Sequence, residues 1–493
     1  MDKELRLIIR SNNDCDGITE CIINQFRTEF DSVSGVVLDC NNLPRERDKD
    51  FEYLPASVFS THNDLALKTA KLPLDGDVLE AMLPYKSMAM HIMMRTIHYD
   101  IYERKYLEDV YYKHLKYWNE LLDVRRINYV LFMCLPHHVG EYILYALCKV
   151  KDIKVTILYP QLSYNGISYL LGNEIENVGD NIRREYEKIS GTTADYDQLS
   201  DFMKGVVGNT KGNRVIGAQN WNKITSESKK MMYSTISAKI AFKLFVKNIL
   251  CNIGLYNKCD KETVSNQYKY ISRARRYEKK MDHLSDYRKF SVFPVENEPY
   301  IYFPLQMTPE ASTMPLAGEF KNQLLSIELL ASAAKAYGLH VYVKEHWVQY
   351  NRDAGFYKSI SEIDNVRIID LACNSIDLID GCVAVSSQTG NCLFEAMIKG
   401  KYAIAIGEGC AFKGAPNIFE VQNRNQISDA LDCIINNKVA FTENDVNNYL
   451  LAIDRCMVYS YLDSLSETVS VYSKEDSARK IVDFTIENLN VNV

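Results

Sequence analysis

A turn rich in hydroxyl groups lies between an apolar run and a helical pattern in the second half of the chain. The apolar run covers residues 382–385, and the turn consists of Ser386, Ser387, Gln388, Thr389 and Gly390. Main-chain N–H groups at the start of a helix, together with hydroxyls and a glycine, can hold a phosphate group. Ser and Thr at this place are also common as plain helix caps. We expect Ser386, Ser387, Thr389 and Gly390 to bind phosphate, with capping as the alternative.

A lysine and a histidine follow another apolar run. Lys344 and His346 stand at the end of the run 340–343, where a strand of a parallel sheet would reach its ligand-binding edge. Both side chains could there stabilise the negative charge that develops on a departing phosphate. The alternative is a surface loop in which the histidine is incidental.

Two acidic residues of the same half could contact a nucleotide. Glu395 stands among apolar residues after the turn, and an acid in such surroundings usually has a partner or a ligand. It could accept hydrogen bonds from ribose hydroxyls, or it could be a solvent-facing helix residue. Glu310 could contact the base or the ribose, or else cap the next segment through Ser312 and Thr313.

Asp16 is a candidate general base in the first half. It precedes Gly17 in a turn that follows the apolar run 5–10. A carboxylate at this edge could take the proton of an acceptor hydroxyl, although it could equally cap the helix that begins near Ile18. Asp14 and Asp16 together have the Asp-x-Asp spelling of some metal sites, but this spelling is frequent in turns, so we expect no metal.

Two adjacent histidines offer a second candidate for the base. His137 and His138 follow the apolar run 128–134, and Gly140 stands behind them. Either imidazole could act as a general base or contact the acceptor. One of them could instead bond a main-chain carbonyl.

Short β-branched runs alternate with amphipathic helical patterns in both halves. The first half has expected strands at 5–10, 35–39, 56–60, 128–134 and 154–159. The second half has expected strands at 300–305, 340–344, 366–370, 382–385 and 402–406. Helical patterns fall between most of these runs. The alternation predicts an α/β protein whose parallel sheets are covered by helices on both faces.

The pattern predicts two Rossmann-like domains. Residues 1–292 would form the first, including a helical and increasingly basic region at about 180–290. Residues 293–299, with two prolines, would be the linker, and 300–470 the second domain. Residues 471–493 would form a helix that could pack back on the first domain.

Composition excludes several classes of protein. The 493 residues carry a net charge of -7, which disfavours sequence-independent binding to nucleic acid. The 13 cysteines include no Cys-x-x-Cys pair and therefore indicate free thiols in a reducing compartment. The first residues lack the apolar core of a signal peptide, and no apolar run reaches the ~18 residues of a spanning helix. We expect a cytoplasmic protein.

One basic stretch could touch a membrane. Between residues 236 and 256, Lys239, Lys243 and Lys247 recur every fourth residue, and further basic residues continue to Lys289. This region could bind an anionic lipid surface, or an anionic lipid-linked or polysaccharide acceptor. A plain solvated face is the favoured alternative.

Several short motifs point to one known family. The second half contains Phe-Pro-Leu (303–305), Pro-Glu-Ala-Ser-Thr (309–313) and Val-Lys-Glu-His (343–346). The hydroxyl-rich turn then leads to Glu-Ala (395–396) and Gly-Lys (400–401), and the first half contains Pro-His-His (136–138). These motifs resemble the capsular-polysaccharide-biosynthesis family, which includes the Kdo transferases of bacterial capsule assembly. The chain departs from the family at Gln306, where His is frequent, and at Trp347 and Tyr402, where Pro is usual.

The resemblance implies a GT-B glycosyltransferase, with two facing Rossmann-like domains, no metal in the site and no cofactor besides its donor. The first domain would bind the acceptor and the second the nucleotide-sugar. His346 resembles half of the His-Pro pair of enzymes that use CMP-activated acid sugars, so Kdo is an expected donor sugar. The sugar would pass to a hydroxyl of a surface polysaccharide or glycolipid, with Asp16 or His138 as the base if configuration inverts.

Two other functions remain open. A nucleotide-sugar epimerase or hydrolase of the same fold would consume the donor without an acceptor. A non-enzymatic glycan-binding or assembly protein would bind nucleotide weakly or not at all.

Overall fold

A computed structural model of the chain describes residues 4–11, 17–39, 48–60, 65–94, 104–161, 168–212, 238–256, 264, 268, 283–308, 310–346, 349, 352, 355–459 and 473–490. Within them the strands are β1 (Glu4–Arg10), β2 (Ser32–Asp39), β3 (Phe51–Pro55), β4 (Tyr129–Phe132), β5 (Lys154–Gln161), β6 (Ser168–Gly172), β7 (Ser291–Val292), β8 (Tyr300–Pro304), β9 (His340–Lys344), β10 (Val366–Ile369), β11 (Ala384–Ser387), β12 (Tyr402–Ile406), β13 (Ile418–Val421) and β14 (Met457–Tyr459).

The helices cover most of the remaining described residues. They are α1 (Ile18–Glu29), α2 (Ser57–Ser60), α3 (Gly76–Ala81), α4 (Leu83–Met94), α5 (Arg104–Val124), α6 (Val139–Val150), α7 (Asp180–Ile189), α8 (Asp201–Lys211), α9 (Ala238–Asn252), α10 (His283–Phe290), α11 (Gln323–Ala334), α12 (Phe356–Ser361), α13 (Ser375–Gly381), α14 (Cys392–Ile398), α15 (Arg424–Ile435), α16 (Glu443–Cys456) and α17 (Lys474–Asn490). None of the described helices has both the length and the apolar character needed to cross a bilayer.

Each of the two sheets has seven strands. The first has the order β14-β6-β5-β4-β1-β2-β3 and the second β13-β12-β11-β8-β9-β10-β7. All six pairs of the second sheet are parallel, as are the four pairs from β5 to β3 in the first. These findings confirm the prediction of two Rossmann-like parallel sheets with interleaved helices.

Both sheets contain the strand order 3-2-1-4-5-6 of Rossmann folds. In the first sheet the order reverses between β1 and β4, and in the second between β8 and β11. Ligands of such sheets bind outside the carboxyl ends of the strands at this reversal. A ligand site is therefore expected among the residues that follow β1, β4, β8 and β11.

The second sheet packs one face against an apolar core. Ile301, Phe303, Val341 and Val343 belong to this core, together with Leu330 of α11. Because side chains of a strand alternate between faces, Tyr302 and Lys344 lie on the opposite face. That alternation brings a phenol and a cation to the same side of two neighbouring strands.

The chain divides into two compact units whose segments interleave. The first contains 1–159, 225–280 and 458–493, and the second contains 160–224 and 281–457. The expected boundary at 292 differs from this division, because 160–224 group with the second unit. Helix α17 belongs to the first unit, where it packs against α1.

Two local expectations differ from the structure. The strand expected at 56–60 is wrong, since the strand is β3 and residues 57–60 form the helical turn α2. The expected linker 293–299 is anchored within the second unit: the Val295 N–H donates to the Tyr342 hydroxyl, and Arg367 pairs with Glu298. The pairing of β7 with β10 also holds the N-terminal end of residues 293–299.

Candidate functional site at the strand ends

The turn after β11 meets the loop after β8 at the reversal of the second sheet. Gln306 Nε2 donates a hydrogen bond of 3.0 Å to Thr389 Oγ1, and the Thr389 hydroxyl donates to the Ser312 carbonyl at 2.8 Å. The structure thus brings the predicted turn and the segment after β8 together.

The predicted phosphate-binding turn is buried in protein. Ser386 and Ser387 are inaccessible to solvent and Thr389 is 7% exposed. The Ser387 hydroxyl accepts from the Gly390 N–H, and a Cβ at Gly390 would lie 2.9 Å from that oxygen. The hydroxyls of Ser387 and Thr389 therefore organise the turn itself, which is what the capping alternative predicts.

Other polar atoms around this reversal have no hydrogen-bond partner in the structure. Four side-chain oxygens in β8, β11 and the segments that follow them share this condition: Tyr302 Oη, Gln306 Oε1, Ser386 Oγ and Gln388 Oε1. Ser375 is close enough to Tyr302 to influence its pKa, but the two form no hydrogen bond of ordinary geometry. A buried polar group left unsatisfied costs about 1–3 kcal/mol, so each of these oxygens is a candidate to bond a polar ligand or water.

Lys344 adds a buried cation to the same edge. The side chain is 7% exposed, and its Nζ donates to Ser375 Oγ at 3.1 Å. In the part of the chain that the structure describes, no carboxylate lies within ion-pair distance of this nitrogen. Burial lowers the pKa of Lys344, and the nearby Cys373 and Asp370 oppose that change only in part. A buried ammonium with a hydroxyl as its partner is suited to receive an anion.

His346 lies in a half-buried position two residues further. Burial lowers its pKa below 6.5, helped by the charges of Arg352 and Lys344 and opposed by those of Glu345 and Glu310. The imidazole is therefore neutral at neutral pH and can donate one hydrogen bond. Lys344 ends β9 and His346 follows it, as the sequence predicts.

Arg352 and Glu345 fix the loop that carries His346, and neither was predicted from the sequence. Arg352 donates to both carboxylate oxygens of Glu345, at 2.8 and 2.7 Å, and also to the Gln306 carbonyl at 2.8 Å. Tyr357 donates to the same carboxylate at 2.5 Å. Arg352 follows no strand and stands in no recognisable motif, so the sequence holds no signal for it.

The two predicted acids occupy different surroundings. The Glu310 carboxylate accepts from the Ser312 N–H at 2.6 Å, and the Thr313 hydroxyl donates to the Glu310 carbonyl, so Glu310 caps this segment. Glu395 is 3% exposed within α14, and its charge contributes to raising the pKa values of Tyr302 and Cys392, after the larger effect of burial. The buried acid that the sequence predicts is thus beside Tyr302, while its contact with a ribose stays a prediction.

The reversal of the first sheet carries a second polar cluster. The Glu141 carboxylate, which is fully buried, pairs with Arg10 at the end of β1. It also accepts from the N–H groups of His137 and His138 at 3.0 Å and lies 3.1 Å from His138 Nδ1. Burial alone would raise the pKa of Glu141, but Arg10 and the two histidines hold it well below its usual value.

His138 is the more accessible histidine of this cluster. Its side chain is 31% exposed, and its ring packs edge-on against Phe59 with centroids 5.8 Å apart. Nδ1 of His137 lies 2.5 Å from the Leu135 carbonyl, as one of the alternatives predicts. Glu141 was missed, although its spacing three residues after His138 at a helix start matches a capping box.

The same cluster contains three groups that could be read as metal ligands. Potential ligand atoms of Cys134, His137 and Glu141 lie within 4.8 Å of one another. Glu141 is already neutralised by Arg10, and His137 Nδ1 faces a carbonyl oxygen. These contacts satisfy the set without an ion, so we assign no metal to it.

Two predictions fall outside the described residues. Asp16 lies there, as do the basic residues from Arg273 to Lys280. Asp16 therefore stays a candidate base on its sequence position alone.

No family model and no curated protein matches the chain. Among solved structures it resembles the beta Kdo 2,7 transferase KpsC of Thermosulfurimonas dismutans, with 13% identity, a TM-score of 0.30, and coverage of 81% of this chain and 96% of that one. It also resembles S. aureus MnaA with UDP, at 10% identity and a TM-score of 0.25, covering 99% and 97% of the two chains. A third similar structure is UDP-GlcNAc 2-epimerase of Neisseria meningitidis bound to UDP-GlcNAc, with 10% identity and a TM-score of 0.25. The match covers 98% of this chain and 100% of that one. Likenesses of this size do not identify an activity.

Proposed function

We propose that the chain is a glycosyltransferase that moves a sugar from a nucleotide-sugar to a hydroxyl of a surface polysaccharide or glycolipid. The observation that carries the proposal is Lys344, a buried cation with a hydroxyl partner, on the same sheet face as the Tyr302 phenol of the neighbouring strand. A phosphate would supply the missing charge, and the hydroxyl and amide groups of a nucleotide-sugar would supply donors and acceptors.

The donor's phosphate is assigned to Lys344, His346 and the turn after β11. The Ser386 hydroxyl also has no partner in the described structure, but this side chain lies on the core face with Ala384 and not on the face of Lys344. Ser387, Thr389 and Gly390 shape the turn, because their side-chain or main-chain groups already bond one another or their neighbours. The unsatisfied oxygens of Gln306 and Gln388 would accept from the base or the sugar.

The two acids complete the donor site in this proposal. Glu395 would accept from ribose hydroxyls, which suits a buried carboxylate beside the Tyr302 phenol. We assign Glu310 a weaker contact with the base or the ribose, because its carboxylate already accepts a hydrogen bond from the Ser312 N–H.

Departure of the nucleotide is the step that Lys344 and His346 would promote. Lys344 stabilises the charge that grows on the phosphate oxygen as the bond to the anomeric carbon breaks. His346, neutral because its pKa is lowered, donates a hydrogen bond to the same group. A CMP-activated acid sugar such as Kdo is the donor that the sequence resemblance favours.

The acceptor hydroxyl needs a base if the reaction inverts configuration, and His138 is our first choice. Its Nδ1 is held by the buried Glu141 carboxylate, so the imidazole is oriented. Asp16 is the second choice. In this arrangement Glu141 is a positioning residue.

Nucleotide binding is the first test. Thermal unfolding of the full chain is followed with CMP, UDP and GDP, and a nucleotide at ~100 times its dissociation constant should stabilise the protein by about 2.7 kcal/mol. Inorganic phosphate at the same concentration is the control for a plain anion. Absence of a response to every nucleotide would contradict the proposal and favour a non-enzymatic protein.

Donor turnover is the second test. CMP-Kdo and UDP-sugars are incubated with and without a capsular oligosaccharide, and release of nucleotide is measured. Release that depends on the acceptor supports a transferase. Consumption of the donor without any acceptor would indicate a hydrolase, and conversion of the sugar with retention of the nucleotide would indicate an epimerase.

A further inference from the structure

Helix α9 exposes several of its apolar residues. Phe242 is 66% exposed, Phe245 42%, Val246 37% and Ile249 43%, and Ile253, just beyond the helix, is 60% exposed. Positions spaced by three or four residues lie on one face of a helix, so these five side chains form a single stripe. Cys251 lies on the opposite face and is buried. We call Phe242, Phe245, Val246, Ile249 and Ile253 the apolar stripe.

Basic residues border the apolar stripe along one side. Lys243 is exposed and Lys247 is half-buried, with its Nζ 5.0 Å from the centre of the Tyr256 ring. The sequence contains no Asp or Glu between Glu227 and Asp260. The surroundings of the stripe are therefore cationic in a chain whose net charge is -7.

These two properties together select one kind of partner. A solvated cationic face, the interpretation that the sequence favours, does not account for five exposed apolar side chains in register. A helix with an apolar stripe, flanking lysines and no acidic residue is the arrangement that lies in the interface of an anionic bilayer. A protein surface of opposite charge would account for the lysines. Such a partner would also have to offer an apolar groove for the stripe.

We propose that residues 242–256 dock the protein on the surface of an anionic membrane. The apolar stripe would enter the boundary between headgroups and acyl chains, with Lys243 and Lys247 against the lipid phosphates. The inference does not depend on the proposed sugar transfer, because it rests on the exposure and charge of a helix in the first unit.

Vesicle sedimentation of the full chain tests the proposal. We expect binding to vesicles of phosphatidylglycerol mixed with phosphatidylcholine and much weaker binding to phosphatidylcholine alone. The double variant Phe242→Ser, Ile253→Ser should bind these vesicles about tenfold more weakly, since two apolar side chains no longer enter the membrane. Lys243→Gln should weaken binding about fivefold on the anionic vesicles only.

A matched control separates the stripe from exposed apolar residues in general. Phe293 is 66% exposed, like Phe242, but lies in the second unit, so Phe293→Ser should bind vesicles as the unchanged protein does. Unfolding temperatures of all variants show whether they fold. If the double variant does not fold, Lys243→Gln still tests the proposal. Failure of the unchanged protein to bind anionic vesicles would overturn the proposal. So would a dimer in solution that the double variant converts to monomer without any vesicle binding, because the stripe would then join copies of the chain.

Discussion

Glu345 and Arg352 form a buried ion pair with two parallel hydrogen bonds of 2.8 and 2.7 Å, and this pair joins the loop after β9 to the loop after β8. The joining bond runs from Arg352 Nη2 to the Gln306 carbonyl at 2.8 Å. Both side chains are almost inaccessible to solvent. The pair therefore sets the separation of His346 and Gln306, two residues assigned to the donor.

Removal of the Glu345 charge should destabilise the protein severely. Glu345→Gln leaves the Arg352 guanidinium buried without its carboxylate, and such a change costs about 3–5 kcal/mol. Urea unfolding measures the loss. Asp364→Asn, which breaks the exposed pair with Lys335, is the control and should leave the unfolding free energy unchanged within error. Equal effects of the two substitutions would show that the Glu345 pair contributes little.

The same carboxylate should make stability depend on pH in the acid range. Burial alone would raise the pKa of Glu345, but Arg352 and Tyr357 hold it below its ordinary value of 4.5. An acid with a depressed folded-state pKa stabilises the protein above its unfolded-state pKa, and this part is lost as pH falls through the folded-state value. The difference in unfolding free energy between the unchanged protein and Glu345→Gln should thus be constant above pH 4.5 and shrink below it. Glu141 also has a depressed pKa, but it is present in both proteins and cancels. A difference that does not shrink would contradict the assignment.

Lys344→Met should separate stability from nucleotide binding. Burial disfavours the charged lysine, as its lowered pKa indicates, so an apolar side chain of similar length should leave the ligand-free protein as stable or more stable. The stabilisation by nucleotide should disappear, because the phosphate loses its cation. Lys358→Met removes a lysine whose side chain is 68% exposed and should change neither quantity. A nucleotide response that survives in Lys344→Met would exclude this lysine from the site.

His138→Gln should lower turnover far more than donor binding. Loss of a general base reduces the rate about a hundredfold to ten-thousandfold, whereas the donor's KM should change little because His138 follows β4 in the first unit. His137→Gln is the neighbouring control and should retain most of the turnover. Comparable losses in both variants would point to a structural effect, and full activity of His138→Gln would move the role to Asp16.

The sequence predicted the fold well because its strands are long apolar runs with polar residues at their ends. The runs at 300–304 and 340–344 are unambiguous, and the sequence placed Lys344 and His346 correctly at the end of the second. The strand at 51–55 was missed in favour of 56–60, since its alternation is weak and a short apolar run does not distinguish strand from helix.

The position of a candidate site residue in the fold was predictable only where it lies at or directly after the end of a strand. Arg352 reaches the Gln306 carbonyl from 46 positions away, and no local pattern reports a pairing of that range. The unsatisfied oxygens of Tyr302 and Ser386 depend on what every neighbour bonds, which is known only once the strands are in register. The turn after β11 was placed correctly, but its hydroxyls turned out to bond within the protein.

Helix α17 gives the first unit an unusual order of assembly. Thr156 of β5 and Thr485 of α17 lie 3.1 Å apart at their hydroxyls, although 329 positions separate them, and Asn488 donates to the Val155 carbonyl. During synthesis, residues 4–159 leave the ribosome long before the helix that covers them exists. The part of β4 and β5 that this helix covers therefore stays uncovered until residues 474–490 have been made.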